Sequence, residues 1–264
     1  MIYLGGKMLK RLVVASTFVL YSVTMAGAYK ILLLGDSTVN TPYLPVKDQV
    51  QSRLKEKLKT LLPDMTIEVV NAGQGGESIG PGAKSNFIEK DIDGYHFFSR
   101  YDQVIKESRG VDLVFIRYGS NDKNNYSAGE FKIRLKRLCE MLKRDYPGVK
   151  IAVETAMYSD PNHTASKTPN EGTKEVFDAI RAFAKEEGCE LGDVYEALKT
   201  TTEAGNWDLR IRSDKVTIDD SKDAAHLNDP DKSWWGNIHP NAKGIDIIAA
   251  LEADIAVKLA SKGR

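Results

Sequence analysis

Four short stretches of the 264-residue chain hold side chains with chemistry to offer. Gly35-Asp36-Ser37-Thr38 places a hydroxyl directly after an apolar run. Asn71-Ala72-Gly73-Gln74-Gly75-Gly76-Glu77-Ser78 is a glycine cluster whose backbone N–H groups can approach a ligand closely. Gly119-Ser120-Asn121-Asp122 offers an amide, and Ile238-His239-Pro240-Asn241 sets an imidazole just before the last helical pattern. A serine hydroxyl is a weak nucleophile until a positioned base takes its proton, and a histidine titrating near neutrality can do so. A tetrahedral intermediate would then need hydrogen-bond donors aimed at its oxyanion. Each stretch alone has a plainer explanation: a helix N-cap for the serine, a turn or anion nest for the glycines, an ordinary Asn-Asp turn, a structural histidine.

The elements that must position these residues alternate between strand and helix from Lys30 onward, the signature of a parallel sheet covered on both faces. Strands are expected at Ile31–Leu34, Thr66–Val70, Val111–Ile116, Ile151–Val153 and Cys189–Val194, the second and third too continuous in apolar and β-branched residues for a half-exposed strand. Helical spacing begins near Asp48 with Val50, Leu54, Leu58 and Leu61. It returns at Phe131, Leu135, Leu138 and Leu142, and again at Val176, Ile180 and Phe183, with Gly188 as a C-cap. A last helix starts after Pro240, which suits a first helical position, and buries Ile248, Leu251, Ile255 and Ala256. From about 200 to 237 the pattern stops and Trp207, Trp234, Trp235 and several aspartates appear; this stretch is a candidate substrate loop. In an open α/β sheet, ligands bind beyond the carboxyl ends of the strands, where the first three chemical stretches fall.

In order and spacing, Gly35-Asp36-Ser37, Asn71 through Ser78, Gly119-Ser120-Asn121-Asp122 and His239-Pro240-Asn241 together resemble the SGNH/GDSL-like hydrolase family. That resemblance implies an α/β fold, a flavodoxin-like three-layer sandwich with a five-stranded parallel sheet, and an ester-cleaving serine. It also implies roles: Ser37 as nucleophile, Gly76 and Asn121 in the oxyanion hole, His239 as base, and no cofactor. The chain departs from the family in one place. An aspartate usually stands three residues before the histidine, and here that residue is Gly236. Either a backbone carbonyl holds the imidazole in a Ser-His dyad, or Asp231, Asp229 or Asp223 substitutes, or catalysis is impaired.

Arg117 closes an otherwise apolar strand, where a charge is costly unless paired or solvated. It is a candidate substrate contact at the rim, or else a structural ion pair. The tryptophans suit a platform for a sugar face or acyl group as well as simple packing. His96, His163 and His226 lack ligand spacing, so no metal is expected; Asp219-Asp220 with Asp223 lack the glycine and glutamate of a helix-loop-helix calcium site. Asp36 reads as a turn-stabilising residue. Cys139, on an apolar helix stripe, and Cys189 read as buried free thiols.

Thirty-seven basic residues balance 37 acidic ones, so no overall field favours nucleic acid. Lys7, Lys10 and Arg11 precede the apolar run Leu12–Met25 and the small residues Ala26-Gly27-Ala28, the form of a signal peptide over residues 1–28. Its removal leaves one domain over 29–264, slightly acidic, with no stable membrane insertion and a secreted or otherwise extracytoplasmic location. Export and the tryptophan-bearing loop favour O-acetyl groups on a carbohydrate as substrate, with a small-molecule or polysaccharide ester as the expected partner and no nucleic acid. The alternatives are a lipid ester, as in a lysophospholipase or thioesterase, a non-catalytic carbohydrate-binding relative, or a flavodoxin-like nucleotide or flavin binder. The glycine cluster fits neither the dinucleotide nor the P-loop pattern.

Overall fold

The computed structural model describes residues 27–80, 90–92, 95–97, 100–158, 174–205 and 239–261. Residues 1–26 of the expected leader, most of the 200–237 stretch with its tryptophans and aspartates, Gly236, His163 and His226 lie outside them.

The central sheet is formed by β1 (Tyr29–Gly35), β2 (Ile67–Asn71), β5 (Leu113–Arg117), β6 (Lys150–Glu154) and β7 (Glu190–Gly192). All pairs are parallel, in the order β2-β1-β5-β6-β7. Renumbered within the sheet this is 2-1-3-4-5, the flavodoxin-like order that the family resemblance implies. A separate antiparallel pair joins β3 (Lys90–Ile92) to β4 (Tyr95–Phe97), the strand that holds His96.

Strand side chains alternate between two helical layers because successive residues point to opposite faces. Ile31, Leu33, Leu113 and Phe115 pack with α1 (Val50–Leu61), α5 (Val194–Gly205) and α6 (Ala242–Ser261). Leu32, Leu34, Val114 and Ile116 pack with α2 (Tyr101–Glu107), α3 (Ala128–Asp145) and α4 (Lys174–Glu187). These strands are apolar on both faces because both faces are covered. Among the described residues no helix is long and apolar enough to cross a membrane.

The ends of elements carry the departures from expectation. Val194 opens α5 and is not part of a strand: the Asp193 carboxylate accepts from Glu196 N at 3.2 Å, a side-chain N-cap that starts the helix there. That helix runs on to Gly205, five residues into the stretch expected to be irregular. Pro240 is not the first helical residue either. Asn241 caps α6, its Oδ1 accepting from Gly244 N at 2.9 Å, which leaves Pro240 just outside. Gly188 does terminate α4, with φ of +65° and Cys189 N bonded back to Ala184 O at 3.1 Å. Cys139 is a buried free thiol and Cys189 a half-buried one.

Candidate active site

Ser37 stands half-buried in a turn at the carboxyl end of β1. The N–H groups of Val39 and Asn40 both bond Asp36 O, at 3.1 and 3.0 Å, and the fully buried Asp36 carboxylate accepts from Thr38 N and Thr38 Oγ1, both at 2.8 Å. Asp36 is thus bonded into its own turn. Burial raises its pKa, against the opposing pull of the Thr38 bonds and Arg117. Gly35 is glycine for room: a Cβ there would lie 2.4 Å from Arg117 O and 2.7 Å from a Val39 methyl, so the turn can press against β5 only without a side chain.

The glycine cluster after β2 lies against this turn. Gln74 N donates to Gly35 O at 2.9 Å, and Asn71 Nδ2 reaches Val39 O at the same distance. A Cβ on Gly75 would sit 3.9 Å from Ser37 Cβ. Gly76 adopts φ of +79° with nothing within 4 Å of its missing Cβ, so backbone conformation and not crowding calls for glycine here.

The loop after β5 closes the other side. Asn121 Nδ2 donates to Glu77 O at 2.9 Å, which fixes the amide beside the Glu77–Ser78 peptide, one residue past Gly76, and leaves its second hydrogen to offer. Glu77 itself is fully buried. Its carboxylate accepts from Tyr118 O–H at 2.7 Å and from both Nε and Nη2 of Arg100, at 3.3 and 3.2 Å, while Arg100 also donates to Ala72 O at 2.9 Å. Burial raises the Glu77 pKa although these donors work against it. Asp122 ties the two loops together, accepting from Ile79 N at 2.8 Å and Gly119 N at 2.9 Å. Burial pushes its pKa up to about 7 in spite of both donors. The sequence shows Glu77 and Asp122 inside these stretches but not the partners they bond.

His239 precedes the Asn241 cap of α6. Its ring meets the edge of Tyr43 at a centroid distance of 5.9 Å and an interplanar angle of 70°, and Tyr43 O–H donates to Pro240 O at 2.9 Å. Burial holds the imidazole pKa below 6.5, favouring the neutral form that can accept a proton. The structure therefore brings Ser37, Gly76 and Asn121 together and sets His239 against Tyr43, six residues beyond Ser37.

Arg117 is a correction. It does not reach the rim as a substrate contact: it is 1% exposed, with Nε bonded to Glu154 Oε2 at 3.0 Å and Nη2 paired to Glu252. Nη1 donates to Thr38 O at 3.3 Å. Burial opposes its charge, but the two carboxylates outweigh that and raise its pKa. One guanidinium thus joins β6 and α6 to the residue that follows Ser37. Among the described residues no group of three or more His, Cys, Asp or Glu side chains is placed to hold a metal.

The family model described as GDSL-like Lipase/Acylhydrolase matches residues 31–251. Solved structures share the fold at low identity. An acetylxylan esterase of Geobacillus stearothermophilus superposes with a TM-score of 0.57 at 16% identity, over 87% of this chain and 95% of that one. A carbohydrate acetylesterase of Sinorhizobium meliloti gives 0.53 at 16%, over 89% and 99%. A G-D-S-L lipolytic protein of Veillonella parvula gives 0.55 at 15%, over 86% and 97%. No curated protein matches the chain.

Proposed function

The chain belongs to the GDSL-like lipase/acylhydrolase family and is a carboxylic-ester hydrolase, and from that premise we propose that Ser37 and His239 perform the cleavage and that the substrate is an O-acetylated carbohydrate met outside the cytoplasm. In this reading His239 takes the Ser37 proton as Oγ attacks the ester carbonyl. The oxyanion is met by the backbone N–H groups of Ser37 and Gly76 and by the second amide hydrogen of Asn121. Collapse expels the alcohol, protonated by the imidazolium, and leaves an acyl-serine. Water, deprotonated by the again neutral His239, releases the carboxylic acid and restores the hydroxyl.

The observation that carries this reading is the convergence of three loops: Gly75 against Ser37, and Asn121 bonded to the Glu77 carbonyl next to Gly76. A glycine cluster serving only as a turn would not need an amide clamped beside it. The carbohydrate half draws on the two acetylesterases that share the fold, and export draws on the leader pattern in residues 1–28.

Two measurements test it. Hydrolysis of p-nitrophenyl acetate should fall by at least ~10³-fold in Ser37→Ala; equal rates in both proteins would refute the nucleophile. Acetate release from a panel of acetylated glycans should exceed hydrolysis of long-chain acyl esters. A preference for long chains would move the substrate to the lipid class.

A further inference from the structure

We propose that Tyr43 is a positioning residue of His239, holding the imidazole in place with its phenol and its ring at once, a role that rests on Ser37 and His239 being nucleophile and base. Gly236 stands where the family carries an aspartate, so that position does not itself orient the imidazole. Tyr43 provides two contacts of different kinds. Its O–H donates to the carbonyl of Pro240 at 2.9 Å, which pins the main chain one residue past the imidazole. Its ring meets the imidazole edge-on, with centroids 5.9 Å apart and planes at 70°, an arrangement that opposes rotation of the histidine ring.

A positioning residue must itself be held, and Tyr43 is. Leu44 N bonds Thr41 O at 3.1 Å to close the turn around it, and Gln49 Nε2 reaches Leu44 O at 3.1 Å. The Leu44 side chain is 3% exposed, in the core layer shared with α1 and α6. The segment starts six residues after Ser37, so one short loop carries the nucleophile at one end and the clasp on the base at the other. Burial keeps the phenol well above its ordinary pKa, so it remains a donor at any working pH. Covering the imidazole also helps hold His239 in its neutral form.

The test compares Tyr43→Phe, which removes only the hydroxyl, with Tyr43→Leu, which removes the ring as well. Phe should leave KM unchanged and lower kcat roughly three- to tenfold, the loss of one hydrogen bond. Leu should keep KM and lower kcat about a hundredfold, as expected when a reacting group is misplaced. In Leu the acid limb of kcat/KM should also move to higher pH as water reaches the imidazole. The titration of His239, followed by NMR in histidine-labelled protein and assigned by its absence in His239→Gln, should move the same way. Unchanged kcat in both variants would overturn the proposal, as would a defect confined to KM, which would make Tyr43 a substrate contact. If Leu does not fold, unchanged kcat in Phe alone overturns it. An inactive wild type would refute the assignment of Ser37 and His239, whereas an active wild type with the His239 titration unmoved in Leu would refute Tyr43.

Discussion

Asn121 presents an amide with two hydrogens, one of them bonded to the Glu77 carbonyl. That bond sets the direction of the other. Removing the amide leaves the nucleophile and base untouched while taking one donor from the oxyanion, so Asn121→Ala should lower kcat by about 10²–10³-fold with little change in KM. Steady-state kinetics on p-nitrophenyl acetate measure both; undiminished turnover would remove Asn121 from the oxyanion hole. Ser37, Gly76, Asn121 and His239 were candidates in the sequence because their four stretches together, in order and spacing, resemble one family's motif set. Tyr43, Glu77 and Asp122 were not, since what defines them is a partner far along the chain: Tyr43 bonds a carbonyl 197 positions away and Glu77 a phenol 41 positions away. Arg117 shows the converse. Its charge at a strand end was visible, but only the fold shows that β6 and α6 each deliver a glutamate to it.

That ion cluster acts between elements. Arg117 on β5 engages Glu154 at the end of β6, Glu252 on the buried face of α6 and Thr38 in the turn after β1. Gly192 of β7 makes room for it, since a Cβ there would lie 2.9 Å from the Glu154 carboxylate. Cutting the guanidinium away strands two buried carboxylates, so Arg117→Met should cost about 3–5 kcal/mol in urea unfolding. Adding Glu154→Leu and Glu252→Leu should recover most of that loss, and an equally unstable triple variant would argue against charge burial as the cause. KM in Arg117→Met should stay near wild type, because the residue does not reach the surface. The alternation of strands and helices about a parallel sheet covered on both faces was legible in the sequence because apolar runs and 3.6-residue spacing report directly on burial, whereas the flavodoxin-like order was implied only by the family resemblance. Helix α5 was not legible, because Val194 is as apolar as a strand residue and the helix is started by the Asp193 cap. The short helix α2 carries too few turns to show a period.

The whole molecule gathers buried acids at one edge of the sheet. Asp36, Glu77, Asp122, Glu154 and Glu252 all have pKa values raised chiefly by burial. For Asp122 the folded value of about 7 stands above the ordinary 3.8, so between these pH values the folded protein holds a proton that the unfolded chain has released. The sign follows: this group makes stability fall as pH rises through that window and adds no further slope above it. Urea unfolding of wild type and Asp122→Asn across the window should show the wild type losing stability relative to the variant as pH rises. A relative gain would reverse the assignment. Parallel topology fixes one more property of the molecule. β1 begins at Tyr29, on the edge of the sheet remote from Ser37, and the Tyr29 hydroxyl meets Ala256 O near the end of α6, whose other end follows His239. Residues 29 and 261 therefore lie on the side opposite Ser37 and His239. A molecule tethered to a support through either of them would turn its Ser37 edge outward.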